Sequence, residues 1–126
     1  MLQRYPQSAL IRLDAFSVIG AWVAFAISAC LWFIGLTSFS LPSYVLASAF
    51  GAFFVLAVLH LVLSFSHSCP RCRKHPTIQG ILPIHKNAQP EVGVDGWAHV
   101  VWSVWRHKRF VCIHCGTGFM VGSEAQ

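Results

Sequence analysis

Four of the five cysteines fall in two pairs with the spacing of metal ligands: Cys69 and Cys72 in "CPRC", Cys112 and Cys115 in "CIHCG", with 39 residues between the pairs. Two Cys-x-x-Cys pairs offer four thiolates, the number a tetrahedral zinc ion takes. The two-residue spacing lets both sulfurs of a pair turn toward one ion, and the N–H groups of the turn then face the sulfurs and offset their charge. Gly116, just after the second pair, suits the positive φ of such a turn. Arg73 stands in the matching place after the first pair, so a less regular turn is expected there. The expected ligand set is Cys69, Cys72, Cys112 and Cys115, holding one Zn²⁺ per chain. A four-sulfur site has no open position for water, so the zinc is expected to be structural. Arg71, Arg73, Lys108 and Arg109 lie close in sequence to balance its negative charge.

Other chemistries use the same residue types. Iron fits four sulfurs in a rubredoxin-like site, usually with glycine after both pairs; only one pair has it. Disulfides require an oxidising compartment. A thioredoxin-like redox pair needs a βαβ context that is absent, and covalent haem needs a His directly after the second cysteine of a pair. His67, His75 and His114 are substitute ligands by proximity, but each is expected to be a surface residue. The acids are Asp14, Glu91, Asp95 and Glu124. With no Ser-His-Asp grouping, carboxylate pair or phosphate-binding glycine loop, the chain is not expected to be an enzyme.

The segments "KRFVCIHCGTGFMV" and "SCPRCRKHPTI" resemble the zinc-ribbon class: the first as strand, knuckle and strand, the second as a knuckle and its return strand. The resemblance covers those two segments. It implies a small β-rich fold and a metal, and no particular reaction, because the class spans many activities.

The elements that must position these cysteines are unusual. Of 126 residues 56% are apolar and 10% charged, against roughly 25% charged in soluble domains. No Asp, Glu, Lys or Arg occurs from Ala15 to Ser68. The run Ala15–Leu36 is long enough as a helix to cross a hydrocarbon core of about 30 Å. Residues 37–43, "TSFSLPS", read as a turn, and the run from Tyr44 to Ser66 spans again. The fold class expected is a transmembrane α-helical hairpin with a small β-rich, zinc-ribbon-like domain. Residues 1–14 form an N-terminal cytoplasmic segment, 15–66 the hairpin, and 67–126 the zinc-ribbon-like cytoplasmic domain. Arg4 and Arg12 before the first span, and Arg71, Arg73 and Lys74 after the second, place both termini in the cytoplasm and the protein in the inner (cytoplasmic) membrane. A signal peptide is less favoured, because the first apolar run is long for one. "ISAC", ending at Cys30, resembles a lipobox over four residues only; Cys30 is read instead as a small apolar residue in a helix.

Small residues recur in the spans, with Ala47 and Gly51, and Ser48 and Ala52, at the spacing of close helix packing. Either they close the hairpin or they serve a partner. His60 lies near the cytoplasmic end of the second run. It is expected to be neutral and bonded to a neighbouring hydroxyl or backbone group, since neither helix is expected to hold a carboxylate to complete a proton relay.

Cys69 follows Phe65 by four residues, so the metal knob must sit at the membrane surface. A tail of this size buries little core, and zinc would staple it. Its seven Lys/Arg against three acids make it basic. The stretch rich in Gly and Pro after His75 reads as loops and short strands. "WAHVVWSVWRHKRF" reads as a short helix running into a strand near Arg109. Trp97, Trp102 and Trp105 beside Arg and Lys fit an interfacial segment, the tail's own core, or base-stacking aromatics.

The function expected is that of a small integral membrane protein with a structural zinc site, an accessory, assembly or scaffold subunit of a membrane complex, or a homo-oligomer. Its partners would be the bilayer and a membrane protein or a second copy. The alternatives are a membrane-tethered nucleic-acid binder, a rubredoxin-like electron carrier, and a small pore-forming effector; nucleic acid is not favoured as a partner.

Overall fold

The structure is a computed structural model that describes residues 2–38, 42–81, 83–88, 93 and 95–122. Part of the expected turn, residues 39–41, lies outside the described residues, as do Glu91 and Glu124. A short strand β1 (Gln3–Arg4) leads into the long helix α1 (Ser8–Ser38), and α2 (Ser43–Ser66) returns antiparallel beside it. A single 3₁₀ turn (Lys86–Ala88) precedes α3 (Gly96–His107), β2 (Arg109–Val111) and β3 (Gly118–Met120). Both long helices are apolar enough to cross a membrane. At 1.5 Å per residue α1 reaches roughly 46 Å and α2 roughly 36 Å, against a core of about 30 Å.

Helix α1 begins seven residues before the apolar run, at Ser8 rather than Ala15. That extra length matters, because it puts Asp14 inside the helix. The reading that neither helix carries a carboxylate is therefore corrected. The apolar run marks where lipid begins, whereas the helix begins where its backbone can first pair, supported by packing of Ile11 and Ala15 against the C-terminal domain.

The three strands form one sheet in the order β1-β3-β2. β2 and β3 pair antiparallel, with Phe110 opposite Phe119. β1 pairs parallel to β3, Gln3 opposite Phe119, and Tyr5 N–H continues the ladder to the Met120 carbonyl at 3.0 Å. Tyr5 is fully buried and meets Phe110 and Phe119 edge-on, at 5.2 and 5.5 Å between ring centroids. Its hydroxyl donates to the Ser68 carbonyl at 3.0 Å, and Gln7 accepts from the Ser68 N–H. The N-terminal segment is thus built into the C-terminal domain and is no separate unit. It also holds the two ends of the hairpin at the same end of the molecule.

The expected helix-into-strand passage is present. Helix α3 ends at Lys108, which takes a left-handed φ of 52° and passes straight into β2. Val100, Val101 and Val104 are buried with Ile11, Ala15 and Val18 of α1, so α3 lies against the membrane-proximal end of that helix. The opposite face leaves Trp102 and Trp105 about half exposed, their rings 5.2 Å apart. Trp97 is partly buried against the core. The core reading therefore applies to Trp97, while Trp102 and Trp105 lie on the outer surface.

Among the described residues the segment after the first cysteine pair forms no strand, contrary to the expected return strand. Its place beside the second knuckle's hairpin is taken by β1. Among the described residues the domain has three short strands and a twelve-residue helix, less strand than a β-rich module was expected to have. The physical reason is the loop between the knuckles. Pro76 and Pro83 lack the N–H a ladder needs; His85 N–H donates to the Ile113 carbonyl at 2.8 Å without extending into a strand.

Candidate metal centre

The two cysteine pairs are brought together, and all four Sγ atoms lie within 4.8 Å of one another. Cys69 and Cys115 sulfurs are 3.7 Å apart, Cys72 and Cys112 sulfurs 3.8 Å. A tetrahedron with metal–sulfur bonds of about 2.3 Å has an edge of about 3.8 Å. A disulfide would require about 2.05 Å, and all of these cysteines are free. The donor set and spacing therefore fit one metal ion held between the two pairs.

Both knuckles have the same backbone pattern. Arg73 N–H donates to the Cys69 carbonyl at 2.8 Å and Gly116 N–H to the Cys112 carbonyl at 2.9 Å. Cys69 N–H donates to the Lys74 carbonyl and Cys112 N–H to the Thr117 carbonyl, each at 2.9 Å. Gly116 has φ of 68° and Arg73 has φ of 59°. The expectation of a less regular first knuckle is corrected: Arg73 adopts the left-handed conformation that glycine adopts in the second. The turn's hydrogen bonds impose it at a steric cost of roughly 1–2 kcal/mol for a residue with a Cβ.

The surroundings set each thiol apart. Cys69 and Cys112 are fully buried, and burial pushes both thiols up. Burial pulls Cys115 the same way, but hydrogen bonding by the Thr117 hydroxyl and N–H and by neighbouring thiols overcomes it and brings Cys115 down to about 7. The Thr117 hydroxyl lies 3.4 Å from the Cys115 sulfur. Cys115 is thus held more acidic than the buried Cys69 and Cys112, and it offers a thiolate to an incoming ion more readily than they do. Arg71, Arg73, Lys108 and Arg109 are exposed around the knuckles.

None of the three neighbouring histidines belongs to this four-sulfur group, and none is exposed. That corrects their placement on the surface. His67 is fully buried and its Nδ1–H donates to the Leu63 carbonyl at 2.7 Å. Burial lowers its pKa despite that bond and the nearby Asp14 carboxylate. His75 Nδ1–H donates to the His67 carbonyl at 2.7 Å. His114, between the cysteines of the second knuckle, reaches the carbonyls of His75 and Ile78 at 3.1 and 3.2 Å and ties that knuckle to the loop after the first. Their spacing alone gave no sign of this role, because their acceptors are backbone carbonyls elsewhere in the fold.

A second polar cluster, missed from the sequence, lies where the two long helices meet the domain. Asp14 is fully buried. His60 Nδ1 is 2.6 Å from its Oδ1, Ser64 Oγ is 3.3 Å from both carboxylate oxygens, and His67 Nε2 is 3.7 Å from Oδ2. Thr77 Oγ1 is 3.2 Å from Ser64 Oγ and 3.4 Å from His67 Nε2. His60 does meet a neighbouring hydroxyl, Ser64 at 3.1 Å, but its main partner is the carboxylate. An unpaired carboxylate buried here would be costly; pairing with the His60 imidazole and the Ser64 hydroxyl removes most of that cost. The signal available in the sequence was Asp14 itself, one residue before the uncharged run.

Cys30 is exposed on the flank of α1. The protein-family models give no match to this chain, and no curated protein or solved structure matches it.

Proposed function

We propose that the protein is a small integral membrane protein in which one structural zinc ion staples a zinc-ribbon-like module to a two-helix hairpin, and that it works by binding, as an accessory or assembly subunit of a membrane complex or as a homo-oligomer. The observation that carries the reading is the small-residue face of α2. Ala47, Ser48, Gly51 and Ala52 are not used to close the hairpin: Gly51 and Ala52 are exposed, and nothing lies within 4 Å of where a Cβ on Gly51 would stand. In lipid such a face lets a second helix approach closely, because packing rather than the hydrophobic effect drives association there.

The closed four-sulfur set favours a structural over a catalytic ion, and the thiolate-rich donor set with a basic rim suits zinc. Both ends of the hairpin share one end of the molecule, and that end carries Arg4, Arg12, Arg71, Arg73 and Lys74, which favours a cytoplasmic location for both termini in an inner membrane. A basic groove beside the hairpin, lined by Arg12, His107, Lys108 and Arg109, favours anionic headgroups over nucleic acid as the neighbour of this charge. Arg12 sits on the spanning helix itself, and Trp102 and Trp105 lie outward on the adjoining α3.

The test is a photocrosslinker placed at Gly51, with a control at Phe65, in native membranes. The expected result is a discrete adduct from position 51 only, at twice the monomer mass for a homodimer or at another fixed mass for a subunit of a complex. Monomer alone, with no adduct from any α2 position, would overturn the reading.

A further inference from the structure

Beside the Asp14 cluster, on the lipid-facing side of the hairpin, lies a cavity of about 330 Å³ lined by Trp22, Phe25, Phe53, Ala57, His60 and Trp97, among others. That is within the size range of small-molecule sites. Its walls come from α1, α2 and α3, and they are aromatic: Phe25 and Phe53 rings lie 5.6 Å apart, and Trp97 faces the His60 ring at 6.1 Å with 30° between planes. Such walls suit a planar ring, which packs on them by stacked or edge-on contacts. The cavity borders Trp22 and Phe25, both strongly exposed on the membrane-facing flank of α1, so a ligand would enter from the hydrocarbon.

Among these six residues, His60 is the one whose side chain can accept a hydrogen bond; the two tryptophans only donate. Its Nδ1 edge is turned inward to Asp14 and Ser64. Among the described residues its Nε2 has no hydrogen-bond partner, while no fully buried side-chain nitrogen or oxygen lacks one; the ring keeps 23% of its exposure. Nε2 is therefore the accessible nitrogen. The 2.6 Å contact between Nδ1 and the Asp14 carboxylate favours the tautomer of a neutral imidazole with its proton on Nδ1, and in that tautomer Nε2 is the acceptor. Ser64 cannot be activated as a nucleophile by this histidine, because it sits on the same nitrogen as the carboxylate. The dyad lies where the apolar run begins, Asp14 directly before Ala15 and His60 six residues from the end of α2, and an ionisable pair at the edge of the hydrocarbon calls for a role.

We infer that this cavity binds a lipophilic ring bearing a hydroxyl, a phenol-class molecule drawn from the bilayer, whose O–H donates to His60 Nε2 while Asp14 orients the imidazole. The site is separate from the cysteine centre and does not depend on the assembly reading.

The probes are decylhydroquinone and its dimethyl ether, which has the same ring and chain but no O–H. The full-length, metal-loaded protein in nanodiscs is titrated with each, following tryptophan fluorescence. Decylhydroquinone should quench saturably, with the ether about ten-fold weaker, the worth of one hydrogen bond in a dry site. His60→Ala should bring the hydroquinone down to the level of the ether and leave the ether unchanged. Ala57→Trp, which fills the cavity, should abolish saturable binding of both while the metal is retained. Equal half-saturation for the two probes, quenching that never saturates, or saturable quenching that survives Ala57→Trp would each overturn the proposal. Should Ala57→Trp lose its metal, the comparison of the two probes on the native protein decides alone.

Discussion

Gly116 and Arg73 occupy matching places in the two knuckles, yet substitution should affect them differently. A Cβ on Gly116 would run into the His85 ring, and its φ of 68° is already unfavourable for any other residue. Gly116→Ala should cost about 2 kcal/mol or more, combining the left-handed penalty with that collision. Arg73→Gly should change stability by no more than about 1 kcal/mol, because relief of the left-handed strain is offset by the freedom glycine adds to the unfolded chain. Denaturant unfolding of the metal-loaded protein separates the two, and comparable losses in both variants would mean the second knuckle is not held as described. Asp14 belongs to the same scale. One residue turns the inner end of the hairpin from a greasy contact into a bonded cluster of Asp14, His60, Ser64, His67 and Thr77.

Among the elements, the smallest one does the least expected work. β1 has two residues, but it completes the sheet and brings Tyr5 into the core between Phe110 and Phe119. Tyr5→Ala removes that ring and the hydroxyl bond to Ser68. The expected cost is about 3 kcal/mol, in the range for losing a buried aromatic. Amide hydrogen exchange should speed up in β3 and around Ser68, while the bulk helical signal stays unchanged, since α1 and α2 hold each other independently. An unaltered exchange pattern in β3 would show that the N-terminal strand is not part of the domain. α3 works differently. Its valine face seats the domain on α1, and its tryptophan face is left for the surroundings.

For the whole molecule, the four-cysteine group can hold a metal ion, and an ion there would share one task with the hairpin, which is to hold a domain too small to bury a sufficient core. Metal binding must expel protons from the thiols, and burial holds those of Cys69 and Cys112 up. Protons therefore compete more strongly as pH falls. Apparent metal affinity should drop steeply between about pH 8 and about pH 6, by more than ten-fold per pH unit where more than one proton is displaced per ion. Cys115, at about 7, loses its proton before Cys69 and Cys112 as pH rises. A competition titration with a chromophoric chelator at several pH values measures this, and a pH-independent affinity would exclude a four-thiolate site. Stripping the ion at neutral pH should loosen the domain from Cys69 to Val121 and leave the α-helical hairpin folded.

The uncharged length of Ala15–Ser68 by itself determined two helices able to span a bilayer, because hydrocarbon admits no unpaired backbone and the period of charge is read directly off the chain. The two Cys-x-x-Cys spacings likewise determined two knuckles of two sulfurs each, since a knuckle is a local turn. The passage from α3 into β2 was legible for the same reason. The meeting of the knuckles in one four-sulfur group is a tertiary contact. What the local pattern did not contain was pairing between distant segments. The parallel strand made by Gln3–Arg4, the burial of Tyr5, the meeting of Asp14 with His60 and His67, and the turning inward of His114 all join segments far apart in the chain. Only the tertiary structure decided them: an antiparallel hairpin returns the chain to where it began, and polar groups brought together there must satisfy one another once water is excluded.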